Sequence, residues 1–305
     1  GIPMGVFWLL NVTDTKVRTR KELDEVLTIP FLGNIPRHGN NNKSEDSDGI
    51  VVRENGRDSV SEAFRIIRTN MDFMRVKSDK LQVVMFTSAN PGAGKTFVSS
   101  NLAMSIAQTN KRVVLVDVDI RKGTLSGIFS NSSNRMGLTH YLSGSTDKVD
   151  DIVGTSEEYE KLDVIFSGPV PPNPAELLLS ERFDRLIAEL RKRYDYIIVD
   201  NVPAGIVADA SIVNRVVDLT IFVVRSGVMD RRQLPELENM YRQEQLHNLS
   251  VILNGVPLKS RGYGYGYGYG YGYGYGYGNE SHRHSHKHGK YENLKKLFSR
   301  LLKRL

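Results

Sequence analysis

Short, unbroken apolar runs rich in β-branched residues recur along the middle of the chain. They are Val83–Phe86, Val113–Val116, Leu162–Phe166, Tyr196–Val199, Leu219–Val224 and Ser250–Leu253. Each has the length and composition of a strand buried on both faces, which shows no polar alternation because neither face meets water. Longer runs with helical spacing separate them, notably Glu176–Arg193 and Gln233–Gln245, and a helix-like run, Phe97–Ala107, follows the first strand across a glycine-rich turn. Strands alternating with helices predict an α/β fold, a mostly parallel sheet with helices on both faces. In such sheets ligands collect at the carboxyl ends of the strands.

The N-terminal part reads differently. Gly1–Leu10 is apolar but only about half the ~20 residues that span a bilayer. Lys16, Arg18, Arg20 and Lys21 follow it, the cationic flank of the cytoplasmic end of a membrane helix. Gly1–Leu10 therefore reads as the stub of a transmembrane helix, the alternative being an ordinary apolar N-terminal segment. The chain opens at Gly1 rather than Met, as a fragment or a processed chain does. Residues 11–49 read as a juxtamembrane linker, helical in character over Arg20–Leu27, extended over Ile29–Pro36 and a polar loop from Arg37 to Gly49. The globular domain is expected over 50–260 and a Gly-Tyr-rich tail over 261–305. Near the domain's start, Ser59-Val-Ser-Glu62 has the form of a capping box and predicts a helix to about Met74 or Val76. Glu62, Arg65 and Arg68 lie along one side of that helix. Such a row is either a solvated charged face with internal ion pairs or a contact between subunits.

Composition refines this picture. In 305 residues with 40% hydrophobic side chains there is enough apolar surface for a sizeable core. Cysteine is absent, which excludes disulfides, thiolate nucleophiles and Cys-type zinc sites. The formal charge of +6 belongs to the end of the chain: from Asn279 onward eight lysines and arginines face two glutamates, and the remainder balances. A basic pI concentrated in a tail gives no support to a nucleic-acid-binding domain.

The chemistry concentrates behind the first strand. Val83–Phe86 leads through Thr87-Ser-Ala-Asn-Pro-Gly-Ala-Gly94 to Lys95-Thr96 and a helix, the order of a phosphate-binding loop. Glycines let backbone N–H groups crowd round phosphates, the helix N-terminus adds positive potential, Lys95 reaches the terminal phosphates and Thr96 offers a hydroxyl to Mg²⁺. Ala89 replaces the usual first glycine. At the ends of later strands stand Asp117, followed by Asp119 and Arg121 at alternate positions, and Asp200. Carboxylates buried beside a phosphate loop cost several kcal/mol unless a cation or hydrogen bonds compensate, and a divalent metal does so. Asp209 is a weaker candidate, as a metal ligand or as a helix cap.

With these motifs placed, the chain resembles the cytoplasmic module of the bacterial tyrosine kinases (BY-kinases) of exopolysaccharide and capsule export systems. Pro91-Gly-Ala-Gly-Lys-Thr96 is similar to the family's Walker A motif, Leu115-Val-Asp-Val-Asp-Ile-Arg121 to its A′ motif and Ile197-Ile-Val-Asp200 to its Walker B motif. Glu62-x-x-Arg65-x-x-Arg68 matches its oligomerisation motif, which turns that helix face towards the subunit-contact reading. Pro171–Leu178 and the Ile29–Pro36 lead-in also resemble the family. The resemblance implies a P-loop fold binding ATP and Mg²⁺, with Pro91, Gly92, Ala93, Gly94, Lys95, Thr96, Phe97 and Arg121 around the nucleotide. Thr96, Asp117 and Asp200 are then expected at the metal, and Lys95, Asp117, Asp119 and Asp200 as the catalytic set, Asp119 being the base. The implied partners are a homo-oligomer acting in trans, the inner membrane through N-terminal transmembrane segments, the polysaccharide polymerisation and export machinery, and a phosphotyrosine phosphatase. Nucleic acid is not among them.

Two departures stand out. Asn201-Val-Pro203 replaces the usual Thr-Pro-Pro after Walker B, and Asn90 occupies the position of the signature lysine of the ParA/MinD ATPases, which argues against that sister group. His-Arg-Asp and Asp-Phe-Gly motifs are absent, so phosphoryl transfer must use the P-loop apparatus.

After Arg261 the chain carries Tyr263, Tyr265, Tyr267, Tyr269, Tyr271, Tyr273, Tyr275 and Tyr277, each set between glycines. A glycine-rich segment of roughly a dozen residues has an r.m.s. reach of about 20 Å, enough to offer phenols to a neighbouring subunit. Alone, the alternation fits either a phosphoacceptor segment or a self-associating one; the family's C-terminal tyrosine cluster favours the acceptor, with Tyr291 as a further candidate. His282, His284, His286 and His288 read as a basic spacer or an adventitious metal binder. Leu294, Leu297, Phe298, Leu301, Leu302 and Leu305 mark the apolar face of a basic amphipathic helix suited to an anionic membrane, a partner groove or the domain itself.

Overall fold

The computed structural model describes residues 15–38, 49–75, 81–129, 136–155, 161–203 and 209–257. The stub at Gly1–Leu10, the tyrosine run, the histidine spacer and the terminal amphipathic stretch lie outside the described residues. Among the described residues no helix is long and apolar enough to cross a membrane.

Eight strands form one sheet: β1 (Phe31–Pro36), β2 (Val83–Thr87), β3 (Val113–Asp117), β4 (Gly154–Thr155), β5 (Leu162–Ile165), β6 (Tyr196–Asp200), β7 (Leu219–Arg225) and β8 (Ser250–Val256). Their spatial order is β1-β8-β7-β2-β6-β3-β5-β4. All neighbours run parallel except β4, which pairs antiparallel with β5. All six apolar runs are strands, and β2, β3 and β6 are buried along their whole length.

Side chains alternate between the two faces. Val83 and Met85 join one core cluster, Val84 and Phe86 the other. Over the second face lie α2 (Ser59–Arg75), contributing Phe64, Ile67 and Met71, and α3 (Lys95–Ala107), contributing Phe97, Leu102 and Ile106. The first face is covered by the short α1 (Arg20–Asp24) and α4 (Leu138–Leu142), by α5 (Pro174–Leu179) and α6 (Glu181–Arg193), and by α7 (Asp209–Asn214) and α8 (Leu234–Arg242).

Three expectations change. The stretch read as a linker, 11–49, is integral to the domain where it is described: β1 pairs with β8, Val17 exchanges backbone hydrogen bonds with Met229 and Gly227, and Thr28 binds the carboxylate of Glu238. The helical run Glu176–Arg193 is two helices, because Ser180 adopts an extended backbone (ψ 150°) and its hydroxyl donates to the Leu177 carbonyl. At the start of α2 the cap is Asp58, not Ser59. The Asp58 carboxylate accepts from the N–H groups of Val60 (3.1 Å) and Ser61 (2.9 Å), while Glu62 turns to Arg65 at 2.8 Å.

Candidate active site

The chain leaves β2 at Thr87 and turns through residues 88–94 before α3 begins at Lys95. Gly92 (φ +73°) and Gly94 (φ +81°) occupy the left-handed region, which side-chain-bearing residues enter only with strain. Gly94 is constrained twice over, since a Cβ there would fall 2.3 Å from the side-chain nitrogen of Asn254. No acidic residue occupies the first turn of α3, so the helix N-terminus keeps its positive potential towards the cavity.

Two strands, the first turn of α3 and the loop after β3 deliver the oxygen ligands. Asp117 and Asp200 are register partners at the carboxyl ends of β3 and β6, both buried. The Thr96 hydroxyl donates to Asp200 Oδ2 at 2.7 Å and lies 3.0 Å from the hydroxyl of Thr124. The Asp117 carboxylate accepts from the N–H groups of Asp119 (3.1 Å) and Leu125 (3.2 Å), so the loop after β3 folds around it. Burial above all, then the negative charge of Asp200 and that of Asp119, pushes the Asp117 carboxyl well above the usual carboxylate range.

A cavity of about 330 Å³ opens above these groups, lined by Gly92, Lys95, Thr96, Asp119, Arg121 and Asp200 among others. The donor set is all oxygen, two buried carboxylates and two hydroxyls, and it fits Mg²⁺, which binds through one or two carboxylates and completes its shell with waters and substrate phosphates. Among the described residues no group of three or more His, Asp or Glu that could hold a metal ion converges. A larger cavity, about 710 Å³, lies at the opposite, amino-terminal edge of the sheet beside the Arg191–Asp218 ion pair; it touches none of this chemistry.

The expected residues fall into groups. Pro91, Gly92, Gly94, Lys95, Thr96, Asp119, Arg121 and Asp200 line one cavity, with Asp117 buried beneath it. Phe97 and Ala93 are buried in the apolar core, so the Phe97 ring forms no wall of the site. On α2, Arg65 pairs with Glu62 and donates to the Gly56 carbonyl at 2.5 Å, and Arg68 donates to the backbone carbonyl of Ser105 and, at 3.2 Å, to its hydroxyl. The side chain of Asp209 and the eight tail tyrosines lie outside the described residues. Sequence reasoning passed over Thr124 and Lys122, which also line the cavity, as do Asn201, Val202 and Pro203 of the departure noted after Walker B. Thr124 follows the Asp119–Arg121 motif closely enough to have been suspected as a further hydroxyl.

A family model described as an AAA domain matches residues 81–224. The tyrosine-protein kinase CpsD of Streptococcus pneumoniae serotype 4 is 37% identical over 204 residues, 67% of this chain and 88% of that protein. The chain belongs to the bacterial tyrosine-kinase family. Another member, the tyrosine-protein kinase etk of Escherichia coli K12, is 35% identical over 84% of this chain but only 32% of its own length. The solved structure of the kinase domain of Escherichia coli tyrosine kinase ETK superposes with a TM-score of 0.68 at 33% identity, covering 82% of this chain and all of that one. The BY-kinase fold thus accounts for the parallel sheet and places the phosphate loop at its carboxyl edge.

Proposed function

We propose that the chain transfers the γ-phosphoryl group of ATP to tyrosines of its own C-terminal run, Tyr263 to Tyr277, between subunits of a homo-oligomer. The observation that carries this reading is the convergence of Lys95, Thr96, Asp119 and Asp200 on one cavity, together with 37% identity to a protein named as a tyrosine kinase. The loop N–H groups and the α3 N-terminus would hold the phosphates, and Lys95 would neutralise charge on the transferred group. Thr96, Asp117 and Asp200 would hold Mg²⁺, which when bound offsets the charge developing on the β- and γ-oxygens. An unperturbed phenol, with a pKa of about 10, is protonated at neutral pH, and Asp119, half-buried on the cavity wall, accepts that proton as the oxygen attacks.

Glu62, Arg65 and Arg68 are proposed as subunit contacts and the cytoplasmic face of the inner membrane as the setting. The relative from Klebsiella pneumoniae is named for a cps region, which supports a role in polysaccharide synthesis and export, reset by a phosphotyrosine phosphatase. Each phosphate adds about −1.5 to −2 charges, enough in number to reverse the basic tail, so phosphorylation is expected to loosen the assembly.

Incubation with labelled ATP tests the reading. Label in the 263–277 peptide, abolished in Lys95→Met, is the expected result. ATP hydrolysis with an unlabelled tail would overturn it in favour of an ATPase switch whose tail mediates association.

A further inference from the structure

Strand β8 closes its apolar run Val251-Ile-Leu253 with Asn254, fully buried at the carboxyl edge of the sheet. Its backbone is held on both sides, in register with Ile35 of β1 and with Arg225 of β7, and its carbonyl accepts from Ser226 N–H at 2.8 Å. Its side-chain N–H donates to the carbonyl of Ala93 at 3.1 Å, and the same nitrogen sits where a Cβ of Gly94 would fall. The amide is therefore pressed against the underside of the phosphate loop, at the two residues preceding Lys95. Asn254 Oδ1 is buried without a hydrogen-bond partner among the described residues. An apolar residue would avoid that unfavourable burial, so the amide is not explained by packing.

A trans peptide is planar, and its C=O and N–H point in opposite directions. With the Ala93 carbonyl drawn down to Asn254, the Gly94 N–H of the same peptide points away from β8, towards the cavity that Gly94 and Lys95 line. We propose that Asn254 is a positioning residue for nucleotide binding, fixing the Ala93–Gly94 peptide so that its N–H is aimed at a phosphate oxygen. The inference rests on the reading of the loop as a nucleoside-triphosphate site. It ties the loop to the register of β8 and so to the edge strand β1.

The test is calorimetric titration of the full chain with Mg-ADP, with KM and kcat measured for ATP. Asn254→Ala is expected to weaken Mg-ADP binding about tenfold, one charge-assisted hydrogen bond's worth, and to raise the KM for ATP in proportion with kcat changed less than threefold. A purely structural role would instead lower the melting temperature and the active fraction at unchanged KM. Asn254→Ser, too short to reach Ala93, gives the same readout should the alanine variant fold poorly. Gly94→Ala should cost less affinity in the Asn254→Ala background, where its steric partner is gone; equal costs in both backgrounds overturn the direct contact. Wild-type affinity in Asn254→Ala and Asn254→Ser, beside a Lys95→Met control that has lost binding, overturns the assignment of Asn254 alone. Absence of Mg-ADP binding by the wild type overturns the nucleotide reading and this inference with it.

Discussion

The hydroxyl of Thr96 donates to Asp200 Oδ2 across 2.7 Å, joining the first turn of α3 to the end of β6. One side chain comes from the helix that follows the phosphate loop and the other from the end of the strand beside β2. Thr96→Ala and Asp200→Asn are each expected to slow tail phosphorylation by about 10²–10³. The double variant should lose little more than the worse single one, because residues that act together are not additive. Single-turnover transfer of labelled phosphate measures this; fully multiplicative losses would separate the two roles.

Asp117 is the register partner of Asp200 on the neighbouring strand, and Lys95, Arg121 and Lys122 are the basic residues lining the cavity above them. Mg-ADP at about 100 times its Kd should raise stability by about 2.7 kcal/mol, read as a higher Tm that EDTA reverses. Asp117→Asn removes one of two crowded carboxylates, so the ligand-free variant should melt above wild type. It should gain far less from Mg-ADP. A wild-type Tm indifferent to Mg²⁺ would contradict the metal assignment.

Asp58, not Ser59, caps α2. Asp58→Ala should cost about 1 kcal/mol, a drop in Tm of about 2–4 °C for a domain of this size, whereas Ser59→Ala should be close to neutral. Thermal denaturation of the two variants compares them directly; a larger loss at Ser59 would restore the Ser59–Glu62 box.

Asp218 anchors the amino edge of the sheet. Burial works against its charge, but the bidentate Arg191 guanidinium and the N–H groups of Val83 and Gln82 outweigh it and hold the carboxyl below the usual range. A carboxyl depressed in the folded state stabilises fully above its unfolded value, about 3.9, and that contribution is lost as pH falls through the lower folded value. Urea midpoints measured from pH 7 to pH 3 should therefore decline below about pH 4. In Asp218→Asn the decline should be shallower, from a lower starting stability. An unchanged slope would show that other carboxylates dominate acid unfolding.

Transfer between subunits predicts that a heavy-isotope Lys95→Met chain, inactive itself, becomes phosphorylated on its tail when mixed with unlabelled wild-type chain. The rate should fall with dilution. Phosphate confined to the wild-type chain at every concentration would show transfer within one subunit.

The central strands were legible because they are buried on both faces, so their apolar runs are unbroken and their terminal aspartates conspicuous. The edges were not. Gly154–Thr155 has no apolar signal at all, and Phe31–Pro36, broken by Gly33 and Pro36, reads as a linker until β8 is seen beside it. The Asp58–Ser59 error has a local cause: both residue types cap helices, and only the N–H geometry tells them apart. Asp119, Lys95 and Thr96 were found by motif. Asn254 was not, although it follows an apolar run as Asp117 and Asp200 do, because an amide carries no charge to demand explanation.

The parallel direction of β8 has a kinetic consequence. Its carboxyl end lies on the same edge as the phosphate loop, with Asn254 touching Ala93, and Tyr263 follows Val256 closely enough that even a fully extended connection reaches only about 23 Å. If transfer runs between subunits as proposed, a neighbouring active site docked within that reach would meet the tyrosines as tethered groups, for which short connections give a local concentration on the order of mM. At such a concentration an acceptor needs almost no affinity of its own. In such an assembly a pocket that recognises sequence would be dispensable, and a monotonous string of tyrosines and glycines would serve as well as any specific peptide.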